Sequence, residues 1–192
     1  MTVQPDAAVA VLVPVKRFED AKLRLAPALD ATERAALARQ MAERVLLAAG
    51  ALAISVVCDD PEVADWALAR GVEVIWTPGL GLNGAVEKGV EHLRDSGFDR
   101  VVVAHADLPL AIAGSLAALP REGVVLVPDR HDDGTNVASV PGASGFKWSY
   151  GPGSFARHCA EATRLGVGLM IVRDPELGWD IDTPADLTGS PR

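Results

Sequence analysis

The chemistry most visible in this chain is a carboxylate at the end of a strand. Val101-Val102-Val103-Ala104-His105-Ala106-Asp107-Leu108-Pro109-Leu110 is a β-branched run, too short for a helix, closed by one acid and a proline. Such a run reads as a buried parallel strand. Open α/β sheets bind their ligands beyond the carboxyl ends of the strands, where a carboxylate can hold a divalent cation against phosphate oxygens. A second acid would have to arrive from elsewhere, and Asp182 in Asp180-Ile181-Asp182-Thr183-Pro184 is the candidate. Asp before Pro also starts helices, so capping and metal binding stand side by side for Asp107 at this point.

Three other segments carry polar groups in useful places. Lys16-Arg17-Phe18-Glu19-Asp20-Ala21-Lys22-Leu23-Arg24-Leu25 follows a strand directly. Its cations could bind a polyphosphate and stabilise charge on a leaving pyrophosphate, or form a solvated basic loop paired with Glu19 and Asp20. Gly79-Leu80-Gly81-Leu82-Asn83-Gly84-Ala85 is a glycine-rich turn entering a helix. Its backbone could approach a ligand closely, with Asn83 offering a donor and an acceptor to a base or ribose edge; Asn83 as an ordinary N-cap is the alternative. Pro128-Asp129-Arg130-His131-Asp132-Asp133-Gly134-Thr135-Asn136 and Tyr150-Gly151-Pro152-Gly153-Ser154-Phe155-Ala156-Arg157-His158 make two anion-friendly turns, the second with Ser154 at a helix start. A plain turn and a plain cap are the alternatives there. Neither a P-loop nor a dinucleotide fingerprint occurs.

The elements that must position these groups alternate. Strands are expected at Ala8 to Val15, Leu52 to Cys58, Val72 to Trp76, Arg100 to Ala104, Gly123 to Pro128, Thr135 to Val140 and Gly168 to Val172. Helices are expected at Asp30 to Gly50, with Asp30 and Glu33 as a capping box, at Pro61 to Arg70, at Asn83 to Ser96, around Ile112 to Leu119, and at Ser154 to Leu165 with Ser154 as N-cap. Thr183-Pro184-Ala185-Asp186 is a second capping box. Strands and helices at this spacing imply βαβ units and a mainly parallel sheet. No repeat or linker interrupts 192 residues, so residues 1–192 read as a single domain.

Composition narrows the function classes. The net charge of −8, from 18 basic and 26 acidic residues, leaves no basic excess for coating nucleic acid. No apolar run reaches the length of a bilayer span. Met1 to Ala10 has no basic n-region, so no signal peptide is expected. Cys58 and Cys159 form no CxxC, and His92, His105, His131 and His158 show no zinc spacing. A cytoplasmic protein with free thiols is the simplest expectation.

In order, Val13-Pro14-Val15-Lys16, Ala21-Lys22-Leu23-Arg24-Leu25, Asp107-Leu108-Pro109, Pro128-Asp129-Arg130-His131, Gly134-Thr135-Asn136, Tyr150 through His158 and Asp182-Thr183-Pro184-Ala185-Asp186-Leu187 resemble one family over nearly the whole chain. This is the CofC/FbiD family, the guanylyltransferases of deazaflavin coenzyme F-420 biosynthesis. The resemblance implies an α/β, Rossmann-like, GT-A-like nucleotidyltransferase with a mainly parallel sheet and helices on both faces. It implies transfer of GMP from GTP to a small phospho-acid (phosphoenolpyruvate, 2-phospho-L-lactate or 3-phosphoglycerate) with release of pyrophosphate. It implies that Asp107 and Asp182 hold Mg²⁺, that Lys16, Lys22 and Arg24 act on the nucleotide phosphates, that Asn83 and Gly84 meet the guanosine, and that Thr135, Gly151 and Ser154 surround the acceptor's carboxylate. Ala106, preceded by His105, stands where many members have Gly, and Asp132-Asp133 stands where many have Gly-Thr. The expected partners are GTP and the phospho-acid, with no nucleic acid and no membrane; a homodimer is left open. The alternatives are a related nucleotidyltransferase acting on a sugar phosphate or molybdopterin, and a nucleotide-binding module without turnover.

Overall fold

A computed structural model describes residues 8–188; most of the segment read for a signal peptide lies outside them. The strands are β1 (Val9–Pro14), β2 (Ala53–Cys58), β3 (Glu73–Trp76), β4 (Arg100–Ala104), β5 (Val124–Pro128), β6 (Thr135–Pro141) and β7 (Leu169–Ile171). The helices are α1 (Ala31–Ala48), α2 (Pro61–Leu68), α3 (Gly81–Asp95) and α4 (Ser154–Leu165), with 3-10 turns at Leu23–Leu25 and Pro184–Leu187. One seven-stranded sheet runs β3-β2-β1-β4-β6-β5-β7. All pairings are parallel except those of β6, which runs antiparallel to both β4 and β5. The expected mainly parallel sheet therefore carries one reversed strand. It is reached by a short turn in which the Asp129 carboxylate accepts the backbone N–H groups of His131, Asp133 and Gly134 at 2.8–3.0 Å.

The strands are apolar on both faces because both are covered. Val9, Val11, Val13, Val102 and Ala104 pack with α1 and α2, while Ala10, Leu12, Val101 and Val103 pack with α3. α4 covers Val124, Leu126, Ala138 and Val140. α3 lies close on β1 through Gly89: a Cβ there would stand 2.6 Å from Leu12 Cδ2. Among the described residues no helix is long and apolar enough to cross a membrane.

Several local expectations hold and three do not. At α1 both bonds of the Asp30–Glu33 box are made. The segment from Ile112 to Leu119 forms turns instead of a helix. Gly114 adopts a φ of 80°, and the N–H groups of Gly114 and Leu116 are donated to Leu47 and Ala48. They satisfy carbonyls left open at the end of α1, which outweighs the segment's own helical pattern. α3 begins at Gly81 rather than Asn83, so Asn83 sits inside its first turn. The N-cap of α4 is Gly153, at φ 71°, and Ser154 is the first helical residue.

Candidate active site

The chain reverses its order in the sheet at β1, with β2 on one side and β4 on the other, so a crevice opens at the carboxyl ends of these strands. A cavity of about 490 Å³ lies there, lined by residues at or just after the ends of β1 (Val15, Lys16, Lys22), β2 (Cys58, Asp59), β3 (Thr77) and β4 (His105, Asp107), and by the first turns of α3. That volume suits a mononucleotide.

At its rim two distant carboxylates share one ammonium. Lys22 Nζ donates to Asp107 Oδ2 at 2.6 Å and to Asp182 Oδ1 at 3.0 Å, and the Lys22 side chain is only 8% exposed. Each partner is supplied by its own local device. Lys22 enters the Leu23–Leu25 turn at φ 56°, a left-handed conformation that costs a non-glycine residue about 1–2 kcal/mol and that collects at functional sites. Asp107 follows β4 and caps no helix, which removes the capping alternative. Asp182 is set by the second capping box: Asp186 Oδ2 accepts the N–H groups of Asp182 and Thr183 at 2.9 and 2.6 Å. Arg130 pairs with Asp186 in turn. The element that this box opens, Pro184–Leu187, is a 3-10 turn.

The electrostatics follow from this geometry. Burial opposes charge on Lys22, but Asp107 and Asp182 together hold its pKa above the ordinary value. Burial likewise pushes the Asp107 carboxyl up, and Lys22 and His105 more than reverse it. Asp180, two residues from Asp182, is pushed up to about 6 by burial and by the charges of Asp107 and Asp182. Asp107 Oδ1 and His105 Nε2 are buried and accept or donate no hydrogen bond. Both residues line the cavity, where a bound group can satisfy atoms that buried sites normally satisfy internally. A further cation between the carboxylates fits this donor set. Among the described residues no group of three or more His, Cys, Asp or Glu side chains converges as a metal cage, and two carboxylates with phosphate oxygens and water is the ordinary way Mg²⁺ is held.

The remaining expected residues divide. Lys16 is exposed and lines the cavity. Arg24 is 78% exposed and reaches Asp182 at 3.7 Å; it does not line the cavity. Asn83 and Gly84 stand beside the cavity, whose wall is formed by their neighbours Gly81, Leu82 and Ala85. Both amide atoms of Asn83 engage Tyr150: Oδ1 accepts its N–H at 2.6 Å and Nδ2 donates to its carbonyl at 3.4 Å. In this structure Asn83 is a strut between α3 and the segment before α4, not a free recognition group.

Thr135 and Ser154 face inward, 1% and 2% exposed. Ser154 Oγ accepts the N–H of Thr135 at 3.0 Å. His158 Nε2 accepts the N–H of Ser149 at 3.0 Å, so Nδ1 carries the proton and donates to Thr135 Oγ1, also at 3.0 Å. Burial, with the charge of Arg157, lowers the His158 pKa to about 4. In these orientations both hydroxyls, expected at the acceptor, are engaged inside the protein. What the segment presents outward is the turn from Gly151 (φ 112°) to Gly153. Its carbonyls at Ser149, Gly151 and Pro152 are taken by the guanidinium of Arg157. Arg157 was visible only as part of a motif, because a basic residue in the first turn of a helix runs against the dipole and gives no hint that it turns back.

Comparison with known proteins places this architecture. The family model described as guanylyl transferase, CofC like, matches residues 9–189. The chain is 41% identical over 184 residues to a phosphoenolpyruvate guanylyltransferase of Sphaerobacter thermophilus, covering 92% of this chain and 89% of that one. It is 32% identical over 187 residues to a 2-phospho-L-lactate guanylyltransferase of Methanothermobacter thermautotrophicus, covering 92% and 81%. Among solved structures, a nucleotidyl transferase from Methanothermobacter superposes with a TM-score of 0.64 at 16% identity, covering 95% of each chain. A CMP:2-keto-3-deoxy-manno-octonic acid synthetase complexed with CTP gives 0.62 at 15%, covering 94% and 95%. At such identities the structural likeness speaks for the fold alone.

Proposed function

The chain belongs to the CofC-like guanylyl transferases, and from that premise we propose that it transfers GMP from GTP to the phosphate of a small phospho-acid, with phosphoenolpyruvate or 2-phospho-L-lactate as the acceptor. The observation that carries this reading is the meeting of Lys22, Asp107 and Asp182 at the rim of a nucleotide-sized cavity. The acceptor phosphate attacks the α-phosphorus in line, a new P–O bond forms, and the bond to the β-phosphate breaks with pyrophosphate leaving. Phosphate is already a nucleophile, so the protein needs no general base. Its tasks are positioning and charge neutralisation.

Lys16, at the end of β1, meets the phosphates as they enter the cavity. Lys22, once its carboxylates are neutralised by another cation, carries a charge free to follow the leaving pyrophosphate. Arg24 holds Asp182 in place from the solvent side. Asp107 and Asp182 would hold Mg²⁺, which supplies charge neutralisation on the phosphate oxygens. The acceptor's carboxylate meets the Gly151–Gly153 turn, where glycines allow close backbone approach and the Arg157 guanidinium lies behind. The product, a guanosine joined by pyrophosphate to a three-carbon acid, is an activated donor of the kind coenzyme F-420 assembly requires.

Incubating the protein with GTP, Mg²⁺ and each phospho-acid in turn, and weighing the products by mass spectrometry, tests this. A guanosine–diphospho-acid adduct and equimolar pyrophosphate are expected, both lost on chelating the metal. Pyrophosphate release with a sugar phosphate but none of the acids would transfer the chain to another acceptor class. No pyrophosphate with any acceptor would make it a binding module.

A further inference from the structure

The geometry points to Asp59 as the group that selects guanine. This rests on the reading that GTP is the nucleotide, and it adds which side chain reads the base.

Phosphate chemistry is confined to one end of the cavity. Lys16, Lys22 and Asp107 gather at the ends of β1 and β4. The cavity continues past β2 toward β3, and there its lining is Cys58, Thr77, Gly81, Leu82 and Ala85, with one acid, Asp59. Because strands lie about 4.8 Å apart, the end of β2 is about 10 Å from the end of β4, far enough for a ribose between phosphate and base. The apolar side chains can cover the faces of a purine, so only its edge needs polar partners.

Asp59 is built to be such a partner. Its neighbour Asp60 is committed, accepting the N–H of Val63 at 3.1 Å as the cap of α2 and lying 3.7 Å from Arg17. Cys58 is buried in the wall. The Asp59 carboxylate is exposed and has no hydrogen bond or ion pair among the described residues. The cavity's other carboxylate, Asp107, is held by Lys22. Asn83, the residue whose chemistry first suggested base contact, has both amide atoms on Tyr150.

Guanine offers two adjacent donors, N1–H and the 2-amino group, and a carboxylate accepts both in parallel. Adenine presents an acceptor at N1 and no amino group at C2, so the same carboxylate repels it. A site that hydrogen-bonds a donor rejects analogues lacking it far more strongly than an apolar slot can.

The test compares GTP with ITP, which lacks only the 2-amino group, and with XTP, which has a carbonyl there. Mg²⁺ and the preferred phospho-acid are kept constant. The wild type is expected to favour GTP over ITP in kcat/KM by roughly tenfold or more, the scale of a charged hydrogen bond. Asp59→Ala should bring that ratio close to one. Asp59→Asn, which keeps the shape, should lower kcat/KM for GTP by roughly ten- to a hundredfold and raise the ratio of XTP to GTP, because the amide can donate to the xanthine carbonyl. An unchanged GTP-to-ITP ratio in both variants overturns the assignment while leaving guanylyl transfer intact. A wild type that turns over no GTP at all overturns the underlying reading and this one with it.

Discussion

The two halves of the sheet use polar side chains in opposite ways. Around β1, β2 and β4 they stand at strand ends and face a cavity: Lys16, Lys22, Asp59 and Asp107. Around β6 and α4 they turn inward and satisfy one another: Ser154 on Thr135, Thr135 on His158, His158 on Ser149. The first arrangement leaves atoms unsatisfied, including Asp107 Oδ1 and His105 Nε2, and so holds a place for ligands. The second gives the molecule a rigid frame that offers solvent little except backbone. Substitutions should therefore act on turnover in the first half and on stability in the second.

The largest effect expected is at Asp107. Asp107→Asn should lower kcat by about a thousandfold, the loss of a preorganised charge at a phosphoryl site, with a much smaller effect on melting temperature because Asp182 still pairs with the Lys22 ammonium. Retained activity with a collapsed melting temperature would reverse the comparison. The next effect belongs to His158 and is read as stability against pH. Its folded pKa of about 4 lies below the 6.5 of the free side chain, because burial, and then Arg157, disfavour the charged ring. Below pH 6.5 the unfolded chain takes up a proton that the folded chain refuses. Stability should fall as the pH drops from about 6.5 to about 4, by on the order of 3 kcal/mol, and level off below. His105, also lowered by burial, acts in the same direction. Chemical denaturation across that range, repeated on His158→Gln, should show a flatter profile in the variant. The smallest effect is Ser154→Ala. The buried N–H of Thr135 loses its acceptor, a cost of about 1–3 kcal/mol, and the KM for GTP stays put. A raised KM for the phospho-acid with unchanged stability would show instead that the hydroxyl faces the acceptor.

The alternation of strands and helices, the capping boxes at Asp30 and Thr183 and the strand-end position of Asp107 were all legible in the sequence, because each depends on residues a few positions apart. The convergence on Lys22 was not. Its partners lie 85 and 160 residues away, and nothing local encodes such a meeting beyond the expectation that strand ends share an edge. Ser154 illustrates the opposite error. A serine at a helix start has the local pattern of an N-cap, but Gly153 reaches the left-handed φ more easily and the Thr135 N–H needed an acceptor. Asn83 was misplaced because the glycine at 81, not the asparagine, opens α3. The 112–119 segment counted as a helix on apolar spacing alone, while open carbonyls on α1 decided its path.

Gly89 sets how closely α3 lies on β1, although it does not line the cavity. It faces Leu12 on β1, a strand pinned by a partner on each side, so a methyl group at position 89 would force the buried Leu12 side chain to turn or α3 to move outward. Ala85, one turn earlier, points from the same face of α3 into the cavity wall. The spacing of that wall thus depends on a position that a catalogue of cavity-lining residues would omit.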